Sequence, residues 1–293
     1  MEVSVKKIVI CPNPHRDREL QMTEKIKKLI EERGIIAPVC PLFNSEGLSE
    51  GDEQGSAKSR LERELLEADM LICLGGDGTI LHIAKPAAVF SVPILGVNLG
   101  TLGFISDMEQ EDIGRITDIF DGDFTVENRM MIDVEVEREG ETIFRDFGLN
   151  EAVIGKGAPA RPFKLLVFGD EQKILGYSGD GVIIATPTGS TAYSMSAGGP
   201  VVEPTAENIV LTPICAHSLT AVPFVIRGDR RILAEIGNIE GRAANLSIDG
   251  SVEMKLSYGD LVRVKKSQYS TKLVRVLNRS FYEVVNRKLK NDI

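Results

Sequence analysis

Met70-Leu71-Ile72-Cys73-Leu74-Gly75-Gly76-Asp77-Gly78-Thr79 is the stretch on which the reading of the whole chain turns. An unbroken apolar run bounded by turn residues suits a strand buried on both faces of a parallel sheet. Ile80 to Lys85 then opens a helix, with Thr79 or Gly78 near its N-cap and Pro86 ending or kinking it. A glycine-rich turn between a strand and a helix is suited to holding phosphate. Its backbone N–H groups are bare, the helix end is positive, and glycine admits an anion closely. Asp77 stands out there. A carboxylate repels phosphate unless it takes a proton from a hydroxyl or holds a metal ion. The competing reading is an Asx turn or helix cap.

Upstream of this stretch, Lys7 to Cys11 reads as a strand and Arg18 to Arg33 as a helix stopped by Gly34. Ile35 to Cys40 follows as a second strand, Asn44 to Gly55 as a polar loop, and Lys58 to Ala68 as an amphipathic helix. Downstream, Val92 to Val97 is a further strand that ends in the loop Asn98 to Phe104. Alternating strands and helices of this kind predict a doubly wound α/β layer, with ligands beyond the carboxyl ends of the strands. The pattern changes after a helix at Asp112 to Phe120. Val126–Glu137 and Thr142–Leu149 form a hairpin around Glu139-Gly140, and Phe163–Phe168 and Lys173–Tyr177 another around Gly169-Asp170. Short strands follow at 182–185, 209–212, 224–226, 231–236, 244–248 and 261–265, predicting a mainly antiparallel all-β second domain. The fold class expected is therefore α+β overall: an α/β domain over 1–123 and a mainly β domain over 124–270. The segment 271–293 returns to the first domain, with Arg279 to Leu289 as a last amphipathic piece.

Bulk properties narrow the function. The 293 residues carry 43% hydrophobic and 26% charged residues and a formal net charge of −9. That balance excludes nucleic acid as the main partner, which needs a basic footprint, but not a small phosphorylated ligand. Arg263, Lys265, Lys266, Lys272, Arg275 and Arg279 alternate with apolar residues and read as solvated strand faces. Cys11, Cys40, Cys73 and Cys215 form no C-x-x-C pair and read as reduced buried thiols. His15, His82 and His217 are too few for a histidine-rich metal centre. Neither a signal-peptide core nor a membrane-length apolar run is present, so the expected setting is cytoplasmic, without a membrane partner.

A second glycine-rich stretch follows Gly179-Asp180-Gly181 and the apolar run to Ala185. It reads Thr186-Pro187-Thr188-Gly189-Ser190-Thr191-Ala192-Tyr193-Ser194-Met195-Ser196-Ala197-Gly198-Gly199-Pro200. So many small hydroxyl residues and glycines make a donor-rich surface for a polar ligand, with Tyr193 offering a ring to a base or sugar. A plain Ser/Thr/Gly surface loop is the alternative. Asn150-Glu151, at the end of an apolar strand pattern, suits a base edge or ribose, or a turn. No P-loop or nucleophile-elbow pattern occurs.

Taken with Leu102-Gly103-Phe104, Asn150-Glu151, Thr212-Pro213-Ile214, His217-Ser218-Leu219 and Asp249-Gly250, both stretches make nearly the whole chain resemble the NAD kinases. The resemblance implies transfer of the ATP γ-phosphate to the 2′-hydroxyl of the adenosine ribose of NAD, giving NADP, with a divalent metal, Mg²⁺, carried with ATP. It makes Asp77 the general base, and Gly75, Gly76, Gly78 and Thr79 the phosphate loop. It places Asn150, Glu151, Thr191, Ala192 and Tyr193 around the adenosine half of NAD, with Thr188, Ser194, Met195 and Ser196 in the same pocket. Asp180 falls near the nicotinamide end, beside Ser178, and His82 and Arg161 stand where relatives carry nucleotide contacts. A homodimer or homotetramer is implied. Ser178 replaces an Arg common in bacterial relatives, which opens the choice between NAD and NADH. Ser251 and Ala221-Val222-Pro223 also depart from the pattern, and the common C-terminal Trp is absent. A lipid kinase sharing only the Gly-Gly-Asp-Gly-Thr loop and a non-catalytic NAD(H)-binding regulator are the competing readings.

Overall fold

The structure, a computed structural model, describes residues 5–42, 60–101, 103–157, 162–218, 220–237, 244–277 and 279–290. Two compact units emerge: residues 1–128 together with 271–293, and residues 129–270.

The first unit is built on strands β1 (Ile8–Pro12), β2 (Met70–Gly75) and β3 (Ile94–Asn98), whose residues are all buried. They pair in parallel, Ile8 opposite Met70 and Leu71 opposite Ile94. The short β4 (Met108–Glu109) extends β3, and Leu273 pairs in parallel with Ile94. Alternate strand residues serve opposite faces, as the period of two requires. Ile8, Ile10, Met70, Ile72, Leu95 and Val97 share a core with Ile26 and Ile30 of α1 (Gln21–Glu31) and with Ile113, Ile116 and Ile119. On the other face Gly96 leaves room for Ile80 of α2 (Asp77–Val89); an added Cβ would meet the Ile80 Cδ1 at 2.6 Å. Helices thus cover both sides of the sheet, the doubly wound arrangement expected.

Several boundaries differ from expectation. The Arg18–Arg33 helix is split: Glu19 and Leu20 both lie at φ 55°, and α1 starts only at Gln21. Asp17 determines that start, its carboxylate accepting N–H bonds from Met22 and Thr23, each at 2.9 Å. Ile35–Cys40 is not a full strand but two isolated bridges to β1 around Pro38, which has no N–H to give. Pro86 does not end its helix. α2 runs on to Val89, because a proline near the last turn costs one ladder bond while Ala87 and Ala88 stay buried. The helix expected at Asp112–Phe120 is a 3₁₀ helix over Gln110–Ile119. The polar loop Asn44–Gly55 lies outside the described residues, and of the Lys58–Ala68 helix, 60–65 is helical.

The second unit is antiparallel wherever its pairing registers are defined. One sheet has the order β12 (Phe224–Arg227), β11 (Asn208–Ile214), β10 (Gly181–Ala185), β7 (Glu151–Lys156), β14 (Ala244–Ile248) and β15 (Ser251–Leu256). Facing it are β9 (Gln172–Gly179), β8 (Phe163–Gly169), β13 (Ile232–Ile236) and β16 (Leu261–Arg275), with β5 (Thr125–Arg138) and β6 (Glu141–Gly148) continuing from β16. Their inner residues, among them Ile132, Ile154, Leu165, Ile184, Leu211 and Val262, form one buried core. The first hairpin turns at Glu139-Gly140, both at positive φ, as expected. The second turns one residue later than expected, at Asp170-Glu171. Two departures bear on the site: Glu151 begins β7 rather than ending a strand, and β16 is 15 residues long.

The length of β16 changes the reading of its basic residues. Arg275 is not a solvated strand residue: its side chain is 14% exposed and meets Glu127 at 3.0 Å and Asp107 at 3.7 Å. Arg279 binds Asp112 at 2.9 Å. Both anchor the final helix α4 (Phe281–Lys290), and Arg287 on it reaches Glu109 at 2.9 Å. Cys11, Cys40 and Cys73 are buried as expected, whereas Cys215 is exposed.

Candidate active site

In the first unit the buried β2 ends at Gly75, and α2 begins two residues later. Gly76 is its N-cap in extended conformation, so Asp77 is the first helical residue, earlier than the sequence suggested. Gly75 has to be glycine: a Cβ there would run into the Thr79 side chain, with the Thr79 Cβ at 2.7 Å. Thr79 is buried, and its hydroxyl accepts from the Gly76 N–H at 3.3 Å and from Asn13 Nδ2 at 3.1 Å. The loop is therefore fixed from below by Thr79 and β1.

Among the described residues, backbone N–H groups hold the Asp77 carboxylate. Oδ2 accepts from the Phe104 N–H at 2.7 Å, and Oδ1 from the N–H groups of Ile105 and Ser106 at 3.2 and 3.3 Å. Gly103 makes this possible, since a side chain there would overlap the carboxylate. Burial, and then the Asp77 charge, push the Cys73 thiol well above its ordinary range, so Cys73 is inert packing beneath the loop. A cleft of about 280 Å³ opens over Gly75–Gly78, its other walls including Arg16, Asn98, Thr101 and Lys288. His82 is exposed further along α2.

In the second unit the predicted dinucleotide block folds as a 3₁₀ turn over Gly189–Thr191 and a single helical turn, α3 (Tyr193–Ser196). Its hydroxyls mostly serve the fold. Thr186 Oγ1 donates to the Leu149 carbonyl at 2.6 Å, Ser190 Oγ to that of Pro187 at 2.6 Å, and Ser194 pairs with Thr212 at 2.8 Å. Gly189 packs against the Asn150 backbone, where a Cβ would not fit. The same lattice brings Thr188, 4% exposed, to Arg129 at 3.5 Å. Ala192 and Met195 are half-buried, while Tyr193 and Ser196 are exposed and available to a ligand.

Asn150 and Glu151 sit beneath this turn, and both are buried. Asn150 Oδ1 and Glu151 Oε2 have no hydrogen-bond partner. Buried polar atoms without a protein partner are rare in native proteins, and each calls for a water, an ion or a ligand to complete its bonding. Burial, and secondarily the Asp249 charge, push the Glu151 carboxyl up to about 8. The backbone of this pair is fixed by Asp249, of the Asp249-Gly250 pair on which the resemblance partly rests. Its carboxylate accepts from the N–H groups of Leu149, Asn150 and Glu151 at 2.8, 2.7 and 3.2 Å. Asp180 is engaged by Lys156 at 2.8 Å, and Ser178 is exposed on β9. Arg161 lies outside the described residues.

The structure thus gathers Gly75, Gly76, Gly78 and Thr79 around Asp77 in one unit, and Asn150, Glu151 and the 186–196 turn in the other. A larger hollow of about 540 Å³ in the second unit contains none of these residues, and its Asp170 is already paired with Arg230 at 2.6 Å. The site therefore rests on the smaller cleft and on the orphaned polar atoms. Among the described residues there is no cluster of metal-binding side chains, and no helix is long and apolar enough to cross a membrane.

Comparison with known proteins gives consistent matches. Residues 8–124 match the model of the ATP-NAD kinase N-terminal domain, and 149–276 that of the C-terminal domain. An NAD kinase of Acetivibrio thermocellus is 38% identical over 285 residues, covering 97% of this chain and 96% of that protein. One from Symbiobacterium thermophilum is 44% identical over 224 residues, 76% of this chain and 79% of its own. Among solved structures, yeast NADH kinase complexed with NADH superposes with a TM-score of 0.81 at 25% identity, covering 98% of this chain and 88% of that one. An Archaeoglobus fulgidus NAD kinase in complex with ATP, 21% identical, shares the fold with a TM-score of 0.70, covering 97% of this chain and 98% of that one. With a glycine loop around a fixed aspartate in one half, a buried Asn-Glu pair in the other, and a family match to each, the chain belongs to the ATP-NAD kinase family.

Proposed function

We propose that this enzyme transfers the γ-phosphoryl group of ATP to the 2′-hydroxyl of the adenosine ribose of NAD, giving NADP, with Asp77 as the general base. The observation that carries the role of Asp77 is its anchoring: three backbone N–H groups orient the carboxylate in a glycine-walled cleft, with no side-chain partner among the described residues. Oδ2, which accepts a single bond, keeps a free lone-pair direction, which suits a group that must receive a proton from a hydroxyl. Phosphoryl transfer needs positioning and charge stabilisation more than covalent chemistry, and bare amides at the start of α2 suit phosphate oxygens. The unpartnered oxygens of Asn150 and Glu151 suit the ribose and base of the dinucleotide. Glu151, protonated at neutral pH, can donate as well as accept. Thr188, Thr191, Ala192, Tyr193, Ser194, Met195 and Ser196 line the same pocket in this reading, with Asp180 and Ser178 toward the nicotinamide. His82 and Arg161 serve as outer nucleotide contacts.

Mg²⁺ enters bound to ATP, and the working form is a cytoplasmic homodimer or homotetramer. Light scattering on the eluted protein tests the subunit number. A lipid kinase would share only the glycine loop and leave the Asn150-Glu151 pair without a role. The alternative acceptor is NADH, and the observation that bears on it is Ser178, neutral and exposed: no charge at that position selects between the cationic oxidised ring and the neutral reduced ring. The test is a coupled assay with NAD or NADH as acceptor and ATP or polyphosphate as donor. NADP formation from NAD and ATP supports the reading; dinucleotide binding with no ATP consumption points instead to a regulator.

A further inference from the structure

Phosphoryl transfer brings a polyphosphate with several negative charges to a cleft that already holds the Asp77 carboxylate. The P-loop solution, a lysine within the glycine loop, is absent here, since Gly75 to Ile83 contains no Lys or Arg. The cations come from elsewhere in the same unit. Arg16 lies four residues past the end of β1, and Lys288 lies on α4, at the other end of the chain. Both line the cleft over Gly75–Gly78.

Among the described residues neither is engaged by a carboxylate, and that sets them apart from their neighbours. Arg279 and Arg287 are paired with Asp112 and Glu109 and hold α4 in place, whereas Lys288 rests on the Phe104 ring, 4.2 Å from its centroid. A cation stacked on an aromatic face is oriented without being neutralised. Phe104 is also the residue whose N–H fixes Asp77 Oδ2. One loop residue therefore orients both the base and the nearest cation. The Arg16 guanidinium forms no ion pair among the described residues, and its Nη1 passes Gly100, where an added Cβ would meet it at 3.5 Å.

We propose that Lys288, assisted by Arg16, is the phosphate ligand of the reaction, holding oxygens of the ATP polyphosphate in place of a P-loop lysine. The inference rests on the reaction assigned above. In that step the bond from the γ-phosphorus to the bridging oxygen breaks, and its electron pair leaves with ADP. The acceptor hydroxyl oxygen bonds to the phosphorus, and its proton passes to Asp77. Lys288 and Arg16 offset the charge that gathers on the phosphate oxygens, the electrostatic stabilisation that phosphoryl transfer depends on.

The test uses the full-length protein and Lys288→Met, which keeps the aliphatic stem on Phe104 and removes the charge. Isothermal titration with inorganic tripolyphosphate and with Mg·ATP is run beside steady-state kinetics. The expected result is a loss of tripolyphosphate affinity of about ten-fold or more and a fall in kcat/KM for ATP of about 100-fold, of the size seen when one charge-stabilising group is removed. The NAD dissociation constant stays within about two-fold and Lys288→Arg restores part of the activity, as a retained charge requires. Wild-type binding of tripolyphosphate that is lost in Lys288→Met, in a protein with no NADP formation, would sustain this assignment and defeat the reaction. Normal NADP formation with unchanged tripolyphosphate and ATP parameters in Lys288→Met would overturn this assignment and leave the reaction standing. Should Lys288→Met lower the unfolding temperature, Arg16→Met, on a separate element, carries the same measurements and the same two outcomes.

Discussion

The backbone N–H of Phe104 donates to Asp77 Oδ2 at 2.7 Å across a sequence separation of 27. This bond ties the loop after β3 to the first turn of α2. It orients the carboxylate, and it needs Gly103 beside it to leave the space.

Gly103→Ala tests that dependence directly. The added methyl overlaps the Asp77 carboxylate and displaces either the base or the loop. Overpacking of this kind costs about 1–3 kcal/mol. Misplacing a catalytic group by an ångström is expected to lower kcat by about 100-fold. Urea unfolding and single-turnover kinetics separate the two effects. A variant with unchanged turnover would show that the carboxylate position does not matter.

Asp249→Ala removes the acceptor for the N–H groups of Leu149, Asn150 and Glu151. Bonds to a charged acceptor contribute about 1.5–3 kcal/mol each and are not additive, so a loss of about 2–4 kcal/mol is expected. The Asn150-Glu151 backbone loosens, and KM for NAD is expected to rise more than kcat falls. An effect on kcat alone would contradict the positioning role.

The buried Glu151 carboxyl gives the protein a pH signature. Its folded pKa is raised from 4.5 to about 8, so between those values the folded state binds more protons than the unfolded state. Stability from this group is therefore fully present below about pH 4.5 and declines as pH rises toward 8. Glu151→Gln, a mimic of the protonated acid, is expected to be more thermostable than the wild type at pH 8 and to differ little from it at pH 5. A melting series in which the two proteins stay parallel from pH 5 to 8 would refute the shift.

The anchoring of the tail can be tested at Asp107. Its Oδ2 accepts from the N–H groups of Val276 and Leu277 at 2.8 and 3.0 Å, and Arg275 lies 3.7 Å from Oδ1. Asp107→Ala strands these buried donors, while Arg275 keeps Glu127 at 3.0 Å, a change expected to cost about 1–3 kcal/mol by denaturant unfolding. Faster proteolysis of 276–290 should accompany it. A loss below about 1 kcal/mol would mean that the tail is held by its apolar contacts alone.

The parts of the fold that were legible in the sequence are those set by local physics. The apolar run at Met70, the glycines that follow, the Glu139-Gly140 turn and the strand 244–248 all stand where their residues predict. What escaped was long-range. The strand expected at 261–265 continues to Arg275, where exposed-looking basic residues meet Asp107 and Glu127, partners too distant in sequence for any local pattern to reveal. Asp249 is only half of an Asp-Gly motif with no role of its own in sequence until its carboxylate is seen under the Asn150 backbone. Lys288 reads as one more charge on a polar helix until Phe104 comes beneath it. The helix of Glu19 and Leu20 failed for the opposite reason: a tertiary demand from Asp17 overrode local helical periodicity.

The most direct measurement is steady-state NADP formation from NAD and Mg·ATP by Asp77→Asn, beside its melting temperature and NAD affinity. Asparagine keeps the size and one carbonyl acceptor but cannot take a proton at neutral pH. The account predicts a fall in kcat of about 10²–10⁴-fold, the range for a lost general base, with folding and NAD binding retained. Turnover within a few-fold of the wild type would contradict it.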